Sequence, residues 1–457
     1  MNKSLCILLI VLGLFSSSLA QKTLTYEEFV KAVEKNHPIA FQAINIGISG
    51  KQEVRKARGY FDPKIEGNTL NKDFKGISYF NYQSLGLKIP TWYGMELNGG
   101  FEKNNGHYIN PDLRTPEDGF WQAGLSINLG KGLFIDKRRA DLAKAKRFRE
   151  LSRVQQLNML NELTFNASVQ YWNWMETWND YKVMDKAVEL AEKRYEAVKM
   201  SYEIGEEPSI DTLEAFIQLQ NRMITRNTKE LLFRKQSLLL STFLWIEGKT
   251  PLEIDSGTTP ILFDSVNISK TLIPDSIWNK INNHPFLAEY DYKLEVIKVD
   301  RRMKIEALKP EFKLGYNFLS ESYNSQWQQE NAKYSIQFAI PLFLRKERAA
   351  LRLNTLKKEN MQLERVQKAI EIKNKLKAME YESNNYQKQV EILKINARNY
   401  RELLEAEIQK FEAGESSLFL INSRETRYLD SQLQLINHIN NYKTASSGIN
   451  YFLSNIN

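Results

Sequence analysis

The sequence predicts an α+β membrane protein built from two structural repeats, in which long antiparallel coiled-coil helices join the strands of a transmembrane β-barrel. Three observations predict it. The chain repeats one plan at a fixed offset. Each copy holds 72 residues without Gly or Pro, at 133–204 and 342–413. Each copy also places segments of alternating apolar and polar residues ahead of that stretch.

Residues 1–20 read as a signal peptide. Lys3 supplies the positive start, Leu5–Phe15 the apolar region, and Ser18 and Ala20 the small residues of a cleavage site before Gln21. The alternative is an uncleaved anchor, for which the apolar run falls short of the ~20 residues that span a bilayer. Cys6, the one cysteine, lies inside this segment. The mature chain therefore has no disulfide, thiol nucleophile or cysteine metal site. No later stretch approaches a membrane helix, which leaves periplasmic, secreted and outer-membrane β-barrel proteins open. The formal charge of +8 could suit nucleic acid. Cations and anions interleave, however, as in Glu192-Lys193-Arg194-Tyr195-Glu196, the pattern of a solvated helix face. Nucleic-acid binding is not expected.

The repeat begins at His37-Pro38, which leads to Pro63, as His284-Pro285 leads to Pro310, both over 26 residues. Each interval reads as a helix, because Pro suits a first helical turn, and each ends at a proline that opens an extended region. Gly132-Leu133-Phe134-Ile135-Asp136-Lys137-Arg138-Arg139-Ala140 matches Pro341-Leu342-Phe343-Leu344-Arg345-Lys346-Glu347-Arg348-Ala349. Tyr202-Glu203-Ile204-Gly205-Glu206 matches Phe411-Glu412-Ala413-Gly414-Glu415. Both matches sit 209 residues apart. The halves are 21–247 and 275–457, joined by a linker at 248–274 that carries Pro251, Pro260 and Pro274.

Within each half, the Gly- and Pro-free stretch would make a helix of roughly 108 Å at ~1.5 Å per residue, far longer than globular helices. Met184, Ala187, Ala191, Tyr195, Val198 and Tyr202 step by three or four, as do Leu393, Ala397, Tyr400, Leu404, Ile408 and Phe411. This spacing is that of a coiled-coil seam. A returning helix is expected over Ile210–Ile246, where the apolar pairs Phe216-Ile217, Met223-Ile224, Leu231-Leu232 and Leu238-Leu239 recur at about one heptad. Another is expected over Leu418–Tyr442. The turns at Gly205 and Gly414 are then the tips of two helical hairpins.

Strands are expected at about 64–131 and 311–341. Tyr93, Met95, Leu97 and Phe101 alternate with polar or small residues. So do Trp121, Ala123, Leu125, Ile127 and Leu129, then Phe312, Leu314, Tyr316 and Phe318, then Tyr334, Ile336, Phe338 and Ile340. This suits a barrel wall with lipid outside and water inside, or a soluble sheet with one buried face; the signal peptide and the long helices favour the barrel. The first region has room for four strands and the second for two. Asn104–Gly119 reads as an exposed loop. Six strands are few for a wide pore, so several subunits would share one barrel.

Taken together, the duplicated plan, the Asn36-His37-Pro38 entry helix, Gly132-Leu133-Phe134 and the tips Tyr202-x-x-Gly205 and Phe411-x-x-Gly414-Glu415 resemble the TolC-type outer-membrane efflux proteins over nearly the whole mature chain. The resemblance implies a homotrimer with a trimer-shared transmembrane β-barrel in outer-membrane lipid and a coiled-coil α-barrel in the periplasm. It also implies a periplasmic adaptor and an inner-membrane pump as partners. It carries an adaptor-docking role to Tyr202, Gly205, Phe411 and Gly414. Asp211 falls where a first-repeat gate aspartate is implied. In the second repeat the ring-forming acidic positions are Leu420 and Ser423, and the arginine expected two residues past Gly414 is Ser416. These are departures from the pattern of an aspartate ring and its salt-bridge lock. Glu206, Glu207, Glu412 and Glu415 would make the tunnel mouth acidic, or are the solvated residues of two turns.

Catalytic constellations do not emerge. His37, His107, His284 and His438 lack metal-ligand spacing, and the first and third, each before proline, read as structural turn residues. There is no phosphate-binding glycine loop and no nucleophile elbow. Tyr171-Trp172-Asn173-Trp174 and Trp178 read as core. No cofactor, metal or enzyme activity is expected. The resemblance implies a passive exit duct for small molecules such as drugs, or for metals. A type I protein secretion duct would use the same fold. A periplasmic coiled-coil adaptor or structural protein is the alternative from another class.

Overall fold

The computed structural model describes residues 22–206, 208–255, 257–263, 268–269, 273, 281–322 and 327–453. The expected signal peptide and Glu207 lie outside them, as does part of the expected linker. In chain order the main elements are α1 (Tyr26–Asn36), α2 (Pro38–Gly59), β1 (Lys64–Phe74), β2 (Ile77–Pro90), β3 (Met95–Asn105), β4 (Phe120–Asn128), α3 (Lys137–Glu203) and α4 (Ser209–Ser241). After the linker come α5 (Pro285–Glu306), β5 (Glu311–Ser320), β6 (Ala332–Ala339), α6 (Arg345–Glu412) and α7 (Leu418–Leu453). Helices α2 and α5 both begin at the proline and have 22 residues each. Helices α3 and α6 have 67 and 68. The chain divides into a sheet unit, residues 45–156 and 285–368, and a helical unit formed by the remainder. Each unit draws on both halves of the sequence.

In the sheet unit, four strands of the first half and two of the second form one antiparallel sheet in the order β6-β5-β4-β3-β2-β1. Residues directly opposite one another share a face. One face carries an apolar band that reaches all six strands, through Ile65↔Leu87, Ile89↔Leu97, Leu97↔Leu125, Leu125↔Tyr316 and Tyr316↔Tyr334, and turns polar at Thr69↔Gln83, Asn71↔Asn81 and Lys103. The other is mainly polar, through Asn68↔Ser84, Ser84↔Glu102, Glu96↔Ser126, Asn317↔Lys333 and Lys313↔Gln337, with Leu70↔Tyr82 and Leu319 as exceptions. The first-half strands meet the second-half strands at β4 and β5. There the side chains of Asn98 and Asn317 bond to each other across Gly124. A Cβ on Gly124 would collide with Asn317 and with the Tyr316 carbonyl oxygen, so only glycine lets these strands close.

The sequence match at Gly132-Leu133-Phe134 is a turn entering α3. The nearly buried Glu306 carboxylate accepts the N–H groups of Gly132 at 3.2 Å and Phe134 at 3.1 Å, and pairs with Lys309 at 2.8 Å. Most of the connection after Asn104 is exposed, but Asn104, Ile109 and Gly119 are buried. The Asn104 N–H donates to Thr115 Oγ1 at 2.9 Å and its side chain to the Leu113 carbonyl at 3.0 Å.

The helical unit is centred on the aromatic run of α3. Tyr171, Trp174 and Met175 are fully buried against Phe29 and Val33 of α1, Leu240 of α4 and Leu435 and Ile439 of α7. Each polar tip finds a partner, as burial of an aromatic requires. Tyr171 donates to the Leu24 carbonyl at 2.8 Å, Trp174 to Ser237 Oγ at 2.8 Å and Trp172 to Ser447 Oγ at 3.2 Å. His37 caps α1, its Nδ1 accepting the Ile39 N–H at 3.1 Å, and burial lowers its pKa. His284 Nε2 lies 3.0 Å from the Phe452 carbonyl oxygen. Both histidines thus hold turns.

Two helix ends need correction. Helix α4 stops at Ser241 instead of Ile246, because Trp245 and Ile246 turn back to pair with Pro251 and Thr250. Helix α7 runs past Tyr442 to Leu453, with Ala445, Gly448, Ile449 and Phe452 continuing its buried face. The four apolar pairs of α4 recur as expected, and all eight residues are exposed in the single chain, while Ala215, Leu219 and Leu240 occupy the inward face.

Asp180 of α3 is buried, and its Oδ2 takes the Lys229 ammonium at 2.7 Å while its Oδ1 has no partner among the described residues. Burial pushes its pKa up to about 6, against the pull of Lys229. A folded-state pKa above the ordinary value means that the helical unit loses stability as pH rises from about 4 through about 6. Asp180→Asn is therefore expected to flatten that part of the pH–stability curve. Thermal midpoints of both proteins between pH 4 and 8 check this.

Candidate functional site at the hairpin tips

Each tip follows from one glycine. Gly205 and Gly414 adopt positive φ, at 82° and 74°, a conformation that costs an L-residue about 1–2 kcal/mol. The N–H of Glu206 reaches back to the Ser201 carbonyl at 2.9 Å, and that of Gly205 to Tyr202 at 3.0 Å. In the second hairpin, Glu415 reaches Lys410 at 2.8 Å and Gly414 reaches Phe411 at 2.9 Å. This paired bonding ends both long helices by satisfying carbonyls that have no further turn to accept from. A Cβ on either glycine would meet only open space. Gly205→Ala and Gly414→Ala are therefore expected to act through the backbone alone, weakening local protection of the tip about 5- to 30-fold. Amide hydrogen exchange of residues 201–206 and 410–415 reads this.

The structure separates residues that the sequence matched. Tyr202 is 46% exposed. Phe411, its counterpart, is partly buried with Tyr195 against Val198, Ala215 and Leu418, and so ties the two hairpin ends together. Glu206, Glu412 and Glu415 are exposed. Asp211 is partly exposed in the first turn of α4, where an acidic side chain complements the helix dipole. Ser416, at the position of the expected arginine, donates to Glu407 Oε1 at 2.6 Å. That hydroxyl, with Arg424, holds the Glu407 carboxyl below the usual carboxylate range.

Two features were missed by sequence reasoning. Around the tips lies an exposed apolar surface of Ile204, Ile210, Leu213, Phe419 and Leu420; the three-and-four steps from Ile210 to Leu213 to Ile217 were its visible signal. Further along the hairpins is a buried ionic cluster. Glu425 of α7, 2% exposed, accepts both Arg194 Nη groups of α3 at 3.0 and 3.1 Å, and Arg222 of α4 lies 3.6 Å away. Arg194 also donates to Asn422 at 3.2 Å, Arg222 to Thr426 at 2.8 Å, and Asn422 to Glu214 at 3.1 Å. Arg194 had read as part of a solvated face, which the structure corrects. Among the described residues no group of His, Cys, Asp and Glu is placed to hold a metal, and no helix is long and apolar enough to cross a membrane.

Residues 279–453 match the model of the outer membrane efflux protein family. No curated protein matches the chain by sequence. Among solved structures, the open-state MtrE outer membrane channel of Neisseria gonorrhoeae is similar at a TM-score of 0.71 and 12% identity, over 94% of this chain and 88% of that one. The CmeC outer membrane channel of Campylobacter jejuni is similar at 0.65 and 14%, over 93% and 84%. The outer membrane protein VceC of Vibrio cholerae is similar at 0.67 and 10%, over 94% and 95%. By sequence, then, the second half of the chain matches the outer membrane efflux proteins, and by fold nearly the whole chain resembles outer membrane channels of the TolC type.

Proposed function

We propose that the chain is an outer-membrane channel subunit, three copies of which form a passive exit duct for small-molecule (drug or metal) efflux. The observation that carries the reading is the sheet, with an apolar band on one face reaching all six strands and a mainly polar opposite face. A sheet of that kind suits lipid outside and water inside. The exposed heptad of α4, Ile210, Ile217, Ile224, Leu231 and Leu238, supports association of copies through the helices. In this reading a periplasmic adaptor docks on the tips at Tyr202, Gly205, Phe411 and Gly414. Glu206, Glu207, Asp211, Glu412 and Glu415 make the mouth acidic, and an inner-membrane pump supplies the energy. The chain itself performs no chemical step.

The test is the native mass of the protein extracted in mild detergent from washed outer membranes. Three chains are expected. A monomer, or protein recovered in the soluble periplasm, overturns the reading in favour of a coiled-coil adaptor or scaffold.

A further inference from the structure

We propose that the first-half hairpin β1–β2 is part of the membrane wall, so that β1 of one copy pairs with β6 of the next and three copies close an eighteen-stranded barrel. The number three rests on the channel reading above; the seam and the strand count rest on the sheet. Among the described residues each edge strand is paired on one side only. β1 is exposed along all 11 residues, and β6 is exposed at every position after its first. Neither is covered by another element of the sheet, and neither contains proline, which commonly blunts a free edge.

Strand β1 continues the wall instead of leaving it. It pairs with β2 from Lys64↔Lys88 to Phe74↔Ile77, with one bulge at Lys72/Asp73, and β2 pairs with β3 from Asn81↔Asn105 to Pro90↔Glu96. The apolar band carries through both pairings at Leu85↔Phe101, Ile89↔Leu97 and Ile65↔Leu87, and β1 enters it with Ile65 and Gly67 before turning polar at Thr69 and Asn71. In hydrocarbon an open edge leaves N–H and C=O groups without partners, so the edges must close on something. Six strands cannot close on themselves around a pore, since even eight leave an interior that side chains fill. The number of strands per copy is even and all neighbours are antiparallel. β6 of one copy therefore meets β1 of the next antiparallel, the arrangement of closed outer-membrane barrels. A barrel of sixteen to eighteen strands encloses an aqueous channel.

Disulfide trapping tests the seam. Cys6 lies in the expected signal peptide, so introduced pairs report alone. Cysteines at Ile65, Thr69 or Asn71 are combined in turn with cysteines at Tyr334, Ile336 or Phe338, and membranes are oxidised before denaturing electrophoresis. At least one combination is expected to give covalent dimers and trimers. If instead cysteines at Gly99 or Phe101 of β3 link to β6, the hairpin β1–β2 lies outside a twelve-stranded wall and the proposal falls; absence of any link from β1 also overturns it. Each reduced variant is first shown to keep the native mass of three chains. Loss of that mass in the unmodified protein would count against the channel reading, not against the seam.

Discussion

Glu425→Ala is expected to destabilise the helical hairpins by about 3–5 kcal/mol, because it strands two buried guanidinium groups. Arg194 and Arg222 are 16% and 12% exposed at their side chains, and Glu425 is the carboxylate that both approach. Removing it leaves two like charges among α3, α4 and α7 with only neutral partners. The ion cluster as a whole is not expected to be a large net source of stability, since desolvating three charged groups offsets most of their attraction. The triple replacement Arg194→Met, Arg222→Met, Glu425→Leu should therefore recover most of what the single change loses. Thermal unfolding measures the difference. Trypsin offers a second readout, since Arg194 and Arg222 become cleavage sites once the helices loosen. If the single and triple variants melt together with the parent, the cluster does not govern this region.

Leu125→Arg is expected to cost about 2–4 kcal/mol if the apolar face meets lipid. Leu125 sits in the middle of that face, between Leu97 and Tyr316, and is 43% exposed in the single chain. In a soluble protein, a half-exposed surface position of this kind would tolerate the change to within about 0.5 kcal/mol. Gln122→Arg, on the polar face opposite Gly100 and Leu319, serves as the control and should assemble normally. The readouts are recovery in washed outer membranes and the temperature at which the native oligomer dissociates. Equal recovery of both variants would show that the apolar face does not contact the bilayer.

The long helices were legible because nothing interrupts them. A run without Gly or Pro has no internal stop, and the glycines that end each run supply the positive φ that the stop requires. The period-two segments likewise revealed which residues share a face. They could not reveal which strand lies beside which, since alternation sets the face and not the neighbour. The contact of β4 with β5 across Gly124 was therefore out of reach. Burial of charge was misread for a related reason. Arg194 and Glu425 lie 231 residues apart, and the local pattern around Arg194 is that of a solvated helix. On α4 the heptad of apolar pairs was visible, but periodicity along one helix could not say whether it faces this chain or another copy. One element was legible and overlooked: α1, announced by Thr25 and Glu28, whose side chains and backbones bond reciprocally at its start. At the tips, sequence matching placed Tyr202 and Phe411 in equivalent turns, but what each packs against depends on the neighbouring hairpin.

The meeting of β4 with β5 also constrains the order in which the molecule can mature. Leu125 finds Tyr316 only after another 191 residues have followed it. A chain emerging N-terminus first must therefore wait with the edge of β4 bare until the second half arrives. Pairings of such long range are slow, because a large loop must close before any contact rewards it. During that interval an apolar sheet face is open to whatever is nearby. Newly made chains should accordingly need a holding factor, and truncation just before β5 should yield an aggregate, not a stable half.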